Sequence, residues 1–265
     1  MGKKAILVAS FGTSYPEILE KCIGATEKAI NNSFKDYEIR RAFTSRFIIK
    51  RLAQGDGIKI DNTVEALTKL KQEGFQEVIV QPLHIIPGLE YGEVVEAVNK
   101  FRDDQSFAKI ALGRPLLTSA NNPDDFAIAV SALKHHLPEL QQGQVVLLMG
   151  HGSKHEANIC YRKLQAKVNE KGLPVLIGTV EAEPTLGDLM KILKTKDIQS
   201  VVLMPFMVVA GDHTQNDLVG DDEDSWKSQL EEAGYKVEIY LRGLGENPTY
   251  QQIYVQHIKD AIDQL

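Results

Sequence analysis

Four almost uninterrupted apolar runs punctuate the chain: KAILVASFG (4–12), QEVIVQPLHII (76–86), QVVLLMGHG (144–152) and IQSVVLMPFMVVAG (198–211). Each is stopped by glycine or proline, and short runs rich in Val, Ile and Leu predict buried strands. They lack polar alternation, which predicts parallel sheets covered on both faces. Between them, apolar positions recur at helical spacing over 15–34, 63–74, 92–104, 124–137, 157–172, 185–197 and 248–265. Weaker strand signals lie at 37–44, 110–117, 174–182 and 236–243. The alternation of strand and helix predicts an α/β fold.

The pattern occurs twice. VIVQPLHIIPGLEYGEVV (78–95) lies over VVLMPFMVVAGDHTQNDL (201–218) without a gap, with Val78/Val201, Pro82/Pro205 and Gly88/Gly211 in register. ILVASFGTS (6–14) lies over VLLMGHGSK (146–154), matching Gly12 to Gly152. This repetition predicts two similar Rossmann-like halves, each a parallel sheet with helices on both faces, and a cleft between them. The expected domains are 1–120, joined by a C-terminal helix 248–265 that locks the halves together, and 121–247. The boundary is expected near TSANNP (118–123).

Composition narrows the class. The 265 residues are 43% hydrophobic and 25% charged, as in a soluble globular protein. No apolar run approaches the roughly 20 residues of a membrane span. The opening MGKKAILVASFG has too short an apolar stretch for a signal peptide and reads as the first strand. Cys22 and Cys160 form no disulfide framework or metal spacing, which points to the cytoplasm. A net charge of −6 argues against nucleic-acid binding. One basic cluster, Arg40, Arg41, Arg46, Lys50 and Arg51, is either a solvated face or a site for an anionic ligand.

Ligands of parallel α/β sheets bind beyond the carboxyl ends of the strands. In the second half His151, Glu181 and His213 follow three such ends. Two imidazoles and a carboxylate suit a divalent first-row metal, and also suit proton acceptance near neutral pH. Each has a plainer reading, as a hydrogen-bonded loop histidine or a helix-start carboxylate. It is their joint placement that singles them out. His155 sits in a turn after Gly152 and Ser153 and at most supports the site. His135, His136 and His257 read as helix-surface residues, and His84 as a buried strand residue. The acidic run Asp221, Asp222, Glu223 and Asp224 reads chiefly as the start of a helix at SWKSQLEEAG, and otherwise as a stretch that attracts hydrated metal ions.

SFGTSY, RAFTS, LHII, MGHG, TVEAEP, MPFMVVAGDH, DDEDSWK and GLGENP occur in this order from Ser10 to Pro248. Together they resemble the anaerobic sirohydrochlorin cobaltochelatases of cobalamin biosynthesis, class II chelatases related in fold to protoporphyrin ferrochelatase. The resemblance implies a lyase that inserts Co²⁺ into the tetrapyrrole sirohydrochlorin, or its oxidised precursor form, without ATP. It implies no permanently bound cofactor, with Co²⁺ as the substrate metal. By the same similarity His151, Glu181 and His213 match the metal-handling and catalytic residues. Ser10, Arg41, Arg46 and Glu90 become candidates to line the tetrapyrrole cleft, Glu90 because it falls opposite His213 in the internal repeat. Arg forks suit the substrate's carboxylates.

Ligand chemistry alone does not select cobalt, so ferrous or nickel insertion into the same substrate remains a rival. So does a non-catalytic tetrapyrrole or metal-binding module, which would have no need of the histidines. A metallohydrolase would use the same groups to activate water, but no HExxH motif is present. No P-loop or GxGxxG fingerprint occurs, which argues against nucleotide chemistry. The sequence expects no membrane partner and is compatible with a homo-oligomer.

Overall fold

The computed structural model describes residues 2–265 apart from 56, 119, 120 and 122. The chain divides into two compact units, Met1–Thr118 with Gly245–Leu265, and Ser119–Leu244. Within the TSANNP stretch expected to carry the boundary, residues 119, 120 and 122 lie outside the described residues.

In the first unit, β1 (Lys3–Ser10) leads to α1 (Pro16–Ile18), which continues through a π-helical stretch, Leu19–Gly24, into α2 (Ala25–Ser33). Then come β2 (Glu38–Phe43), α3 (Arg46–Gly55), α4 (Thr63–Gln72), β3 (Phe75–Pro82), α5 (Leu89–Asp103) and β4 (Lys109–Leu112). All strand pairs are parallel, in the order β2-β1-β3-β4. Alternate residues of the central strands, Ala5, Leu7, Ala9, Val78 and Val80, pack against Leu67 and Leu70 of α4 and Val94 and Val98 of α5. Their neighbours Ile6, Val8 and Ile79 are equally buried and point to the opposite face. Each such buried aliphatic side chain contributes about 1.5–3 kcal/mol. α4 starts with a capping box, Asn62 and Glu65 each accepting from the other's amide.

The second unit repeats the plan: α6 (Asp125–Lys134), β5 (Gln144–Gly150), α7 (Ile159–Glu170), β6 (Val175–Thr179), α8 (Leu186–Thr195), β7 (Ser200–Pro205), α9 (Trp226–Glu232) and β8 (Lys236–Ile239). Its sheet is again wholly parallel, in the order β6-β5-β7-β8. β5 is buried along its whole length, as an apolar run without alternation requires. The last helix, α10 (Pro248–Ile262), belongs to the first unit, where it packs on α2 and β3. There the buried Tyr254 hydroxyl donates to the Leu83 carbonyl at 3.1 Å.

Several strands are shorter than their apolar runs. β3 and β7 end at Pro82 and Pro205, equivalent in the repeat, because proline has no amide to continue a ladder. One further bond follows each proline, from the amides of Leu83 and Phe206 to the carbonyls of Ala9 and Met149. The chain then leaves the sheet. Residues 206–211 stay apolar because they pack as a loop: Phe206 and Ala210 are buried outside any strand. β4 stops before Gly113, where a Cβ would stand 2.0 Å from the Gln81 carboxamide oxygen.

Two histidines contradict the helix-surface reading. His136 is fully buried just past the end of α6, with Nε2 3.2 Å from the Arg242 carbonyl. His257, on α10, is also buried, with Nδ1 3.0 Å from the Arg114 carbonyl. Both are drawn inward by backbone acceptors more than a hundred residues away, which no local periodicity reveals. His135 is exposed. His84 lies two residues beyond β3, not within it, with Nε2 3.3 Å from the Thr44 hydroxyl and Nδ1 enclosed without a hydrogen-bond partner among the described residues.

Candidate metal and catalytic site

Since the sheet order is β6-β5-β7, the three strands that precede His151, Glu181 and His213 are immediate neighbours. Residues that far apart in sequence therefore emerge side by side at one sheet edge. The structure brings one donor atom from each to within 4.8 Å of the others. Donors on a single ion with bonds of about 2.1 Å stand at most about 4.2 Å apart, so little movement would close the set.

β5 delivers His151 through a turn. Gly152 has φ +85°, and a Cβ there would meet the Thr179 Cβ at 2.8 Å and the Ala182 amide at 3.0 Å. Only glycine suits such a conformation and approach. Beyond the strands the ladder between β5 and β6 continues for two more bonds, from the Val180 amide to Gly150 O at 3.1 Å and from the Glu181 amide to His151 O at 3.0 Å. Asn158 ties the same loops together, donating to the Glu183 carbonyl at 2.6 Å and accepting from the Ser153 amide at 3.1 Å. Thr185 and Asp188 then form a capping box that starts α8. Glu181 is thus held by its backbone while its carboxylate reaches solvent, with 51% of the side chain exposed.

His213 comes from the loop after β7, just before a π-helical turn, Thr214–Leu218, whose two end residues are buried. Gly220 closes this turn: its amide donates to Asn216 O at 3.1 Å, and a Cβ would come within 2.3 Å of that oxygen. The rings of His151 and His213 meet edge to face, with centroids 4.4 Å apart and planes at 88°.

Both tautomers follow from their partners. His151 Nδ1 lies 3.0 Å from the Gly152 carbonyl, which can only accept, so this nitrogen carries the proton. His213 Nδ1 lies 2.7 Å from a carboxylate oxygen of Asp217 and must likewise donate. In this tautomer the lone pair that can bind a metal ion or accept a proton is on Nε2 of each ring. Glu181 adds a carboxylate whose Oε2 is 3.9 Å from His151 Nδ1. His155 is turned to another task, capping the 3₁₀ turn Glu156–Asn158 by accepting from the Ala157 amide at 3.1 Å.

The remaining candidates belong to the first unit. Ser10 ends β1, buried, with no hydrogen-bond partner for its hydroxyl among the described residues. Glu90 is half-buried in the first turn of α5. Arg46 is exposed at the start of α3. Arg41 differs: its guanidinium forks onto Glu27 at 2.7 and 2.5 Å and ties β2 to α2. Arg40 is likewise engaged, with Glu38 and Glu73. Both sit on a strand, so the basic cluster is not a single helix face. Residues 221–224 are exposed, ahead of the Ser225 cap of α9. Asp217 carried no role in the sequence reading; its signal was the four-residue spacing from His213, which becomes legible only once the segment is known to be helical.

A two-unit α/β protein with a His–Glu–His cluster at the strand ends is, by class, chelatase-like. SirB from Bacillus subtilis with Fe³⁺ has the same fold at TM-score 0.66 and 14% identity, over 99% of this chain and 97% of that one. So does CbiX, the terminal enzyme for biosynthesis of sirohaem in denitrifying bacteria, at TM-score 0.57 and 17% identity, over 97% of this chain and 99% of that one. Residues 4–263 match the family model described as cobalt chelatase (CbiK), and the chain belongs to that family. It is 42% identical over 261 residues to a sirohydrochlorin cobaltochelatase of Salmonella typhimurium, covering 98% of this chain and 97% of the relative. It is 35% identical over 266 residues to the sirohydrochlorin cobaltochelatase CbiKC of Nitratidesulfovibrio vulgaris, covering 100% and 93%.

Proposed function

We propose that this cobalt chelatase family member inserts Co²⁺ into sirohydrochlorin, without ATP, at His151, Glu181 and His213, as a step of cobalamin biosynthesis. The observation that carries the assignment of the site is the convergence of two imidazoles and a carboxylate, from three adjacent strand ends, within 4.8 Å. The substrate identity rests on the two sirohydrochlorin cobaltochelatases above, similar along nearly the whole chain.

A free-base tetrapyrrole must give up two pyrrole N–H protons as a divalent ion enters. The Nε2 atoms of His151 and His213 present lone pairs that serve metal contact and proton acceptance, and Glu181 is a further ligand or base. Fixing these groups on short loops leaves little reorganisation for the moment of transfer. Sirohydrochlorin is rich in carboxylates, and Arg46, exposed on α3, is the arginine of the original pair that fits a substrate contact. Ser10 and Glu90 are held as lesser candidates for the same role. No helix among the described residues is long and apolar enough to cross a membrane, and both cysteines are buried free thiols. These features support a cytoplasmic location.

The test is insertion of Co²⁺, Fe²⁺ and Ni²⁺ into sirohydrochlorin, followed by the macrocycle's absorbance without nucleotide. His151→Ala and His213→Ala should each slow cobalt insertion by at least about 100-fold, within the range for lost acid–base groups. Full rates in both folded variants would end this reading of the site. Faster iron or nickel insertion would reassign the metal.

A further inference from the structure

We propose that Asp217 is a positioning residue, which fixes the tautomer and direction of the His213 imidazole so that Nε2 faces the incoming metal. This rests on the reading of His213 as a metal contact. The two imidazoles of the site are held differently. His151 donates its Nδ1 proton to a neutral backbone carbonyl, whereas His213 donates to a side-chain carboxylate at 2.7 Å. A carboxylate on the far nitrogen restrains the ring and increases the electron density at the near one, and loss of such a partner typically weakens metal binding 10–100-fold.

Asp217 is built for this contact. The π-helical turn brings residue 217 back beneath residue 213, and the buried Thr214 and Leu218 anchor that turn on either side. Gly220 ends it where no larger residue fits. Among the described residues His213 is the one hydrogen-bond or ion-pair partner of the Asp217 side chain. No lysine or arginine among the described residues pairs with it. Asp217 also lines an open hollow of about 320 Å³ with Thr185, Asp224 and Gln229.

The experiment titrates the full chain with Co²⁺ alone, following the visible absorption of the bound ion, and measures KM for Co²⁺ and kcat in the insertion assay. Asp217→Ala should bind Co²⁺ about 10–100-fold more weakly and raise KM for Co²⁺ in step. Asp217→Asn keeps the shape of the side chain but can turn its NH₂ toward Nδ1 and so move the ring proton to Nε2; it should bind Co²⁺ no better than Asp217→Ala, whereas a merely structural role predicts recovery in this isosteric variant. Should the alanine variant fail to fold, Asp217→Glu, with its carboxylate displaced by one methylene, should show a several-fold loss in the same titration. Unchanged Co²⁺ binding in a folded Asp217 variant, alongside weakened binding in His213→Ala, would overturn the positioning role while leaving the metal site intact. Unchanged binding in His213→Ala would instead remove the metal reading, and this role with it.

Discussion

The amide of Glu181 donates to the carbonyl of His151 at 3.0 Å, so two of the three donor residues are joined through their backbones. The bond extends the β5–β6 ladder past the formal end of both strands. It exists because Gly152 turns the chain at φ +85° against Thr179 and Ala182. The candidate site is therefore in part an extension of the sheet, held by backbone hydrogen bonds between the His151 and Glu181 loops.

Gly152→Ala tests this. The new Cβ must occupy a left-handed conformation and a space 2.8 Å from Thr179 and 3.0 Å from a backbone amide. The strain is about 1–3 kcal/mol, and relief requires the His151 loop to move. A displacement of about 1 Å at a reacting group costs up to about 100-fold in rate. Cobalt insertion should thus fall by at least about tenfold in a protein that still melts cooperatively. An unaltered kcat would show that the turn does not aim His151.

Arg41 and Arg46 should separate stability from substrate binding. Arg41 and Glu27 form a two-pronged pair with 26% and 14% of their side chains exposed. Arg41→Ala strands a largely buried carboxylate and should cost about 1–3 kcal/mol by urea unfolding. Arg46, exposed, has no side-chain hydrogen bond or ion pair among the described residues, so Arg46→Ala should leave the unfolding midpoint in place while raising KM for sirohydrochlorin about tenfold or more. The reverse assignment of the two effects would return Arg41 to the substrate.

The strands were legible because β5 throughout, and β7 from Val201 onward, are buried and need no polar alternation, and because Gly152, Pro82 and Pro205 mark where the chain leaves the sheet. The two similar halves were legible from the same punctuation. What the sequence could not show is spatial order across a sheet. That β6, β5 and β7 are neighbours depends on how the connections cross over in three dimensions, and the 4.8 Å grouping of donors follows from that order. Pairs such as Arg41–Glu27 were equally hidden, since a strand and a helix choose their partners only when packed. His136 and His257 were misread for the same reason: helical periodicity says which residues share a face, not which loop carbonyl lies over them.

His136 makes stability depend on pH. Burial, reinforced by the charge of Arg242 and opposed by the hydrogen bond to the Arg242 carbonyl, lowers its pKa from 6.5 to about 4. The unfolded chain takes up a proton near pH 6.5, whereas the folded chain resists until about pH 4. The unfolded state thus binds more protons across this interval, and stability falls as pH falls. Above about pH 6.5 the neutral ring costs nothing, and between pH 7 and pH 5 the loss is on the order of 2 kcal/mol. His84, in the first unit, is lowered to about 4 by burial and adds a loss of the same sign. Urea midpoints at pH 7, 6 and 5 should fall steadily. In His136→Gln, which retains a donor for the Arg242 carbonyl but cannot take up a proton, the decline should be shallower. Parallel declines in the two proteins would mean that His136 is not the group being titrated.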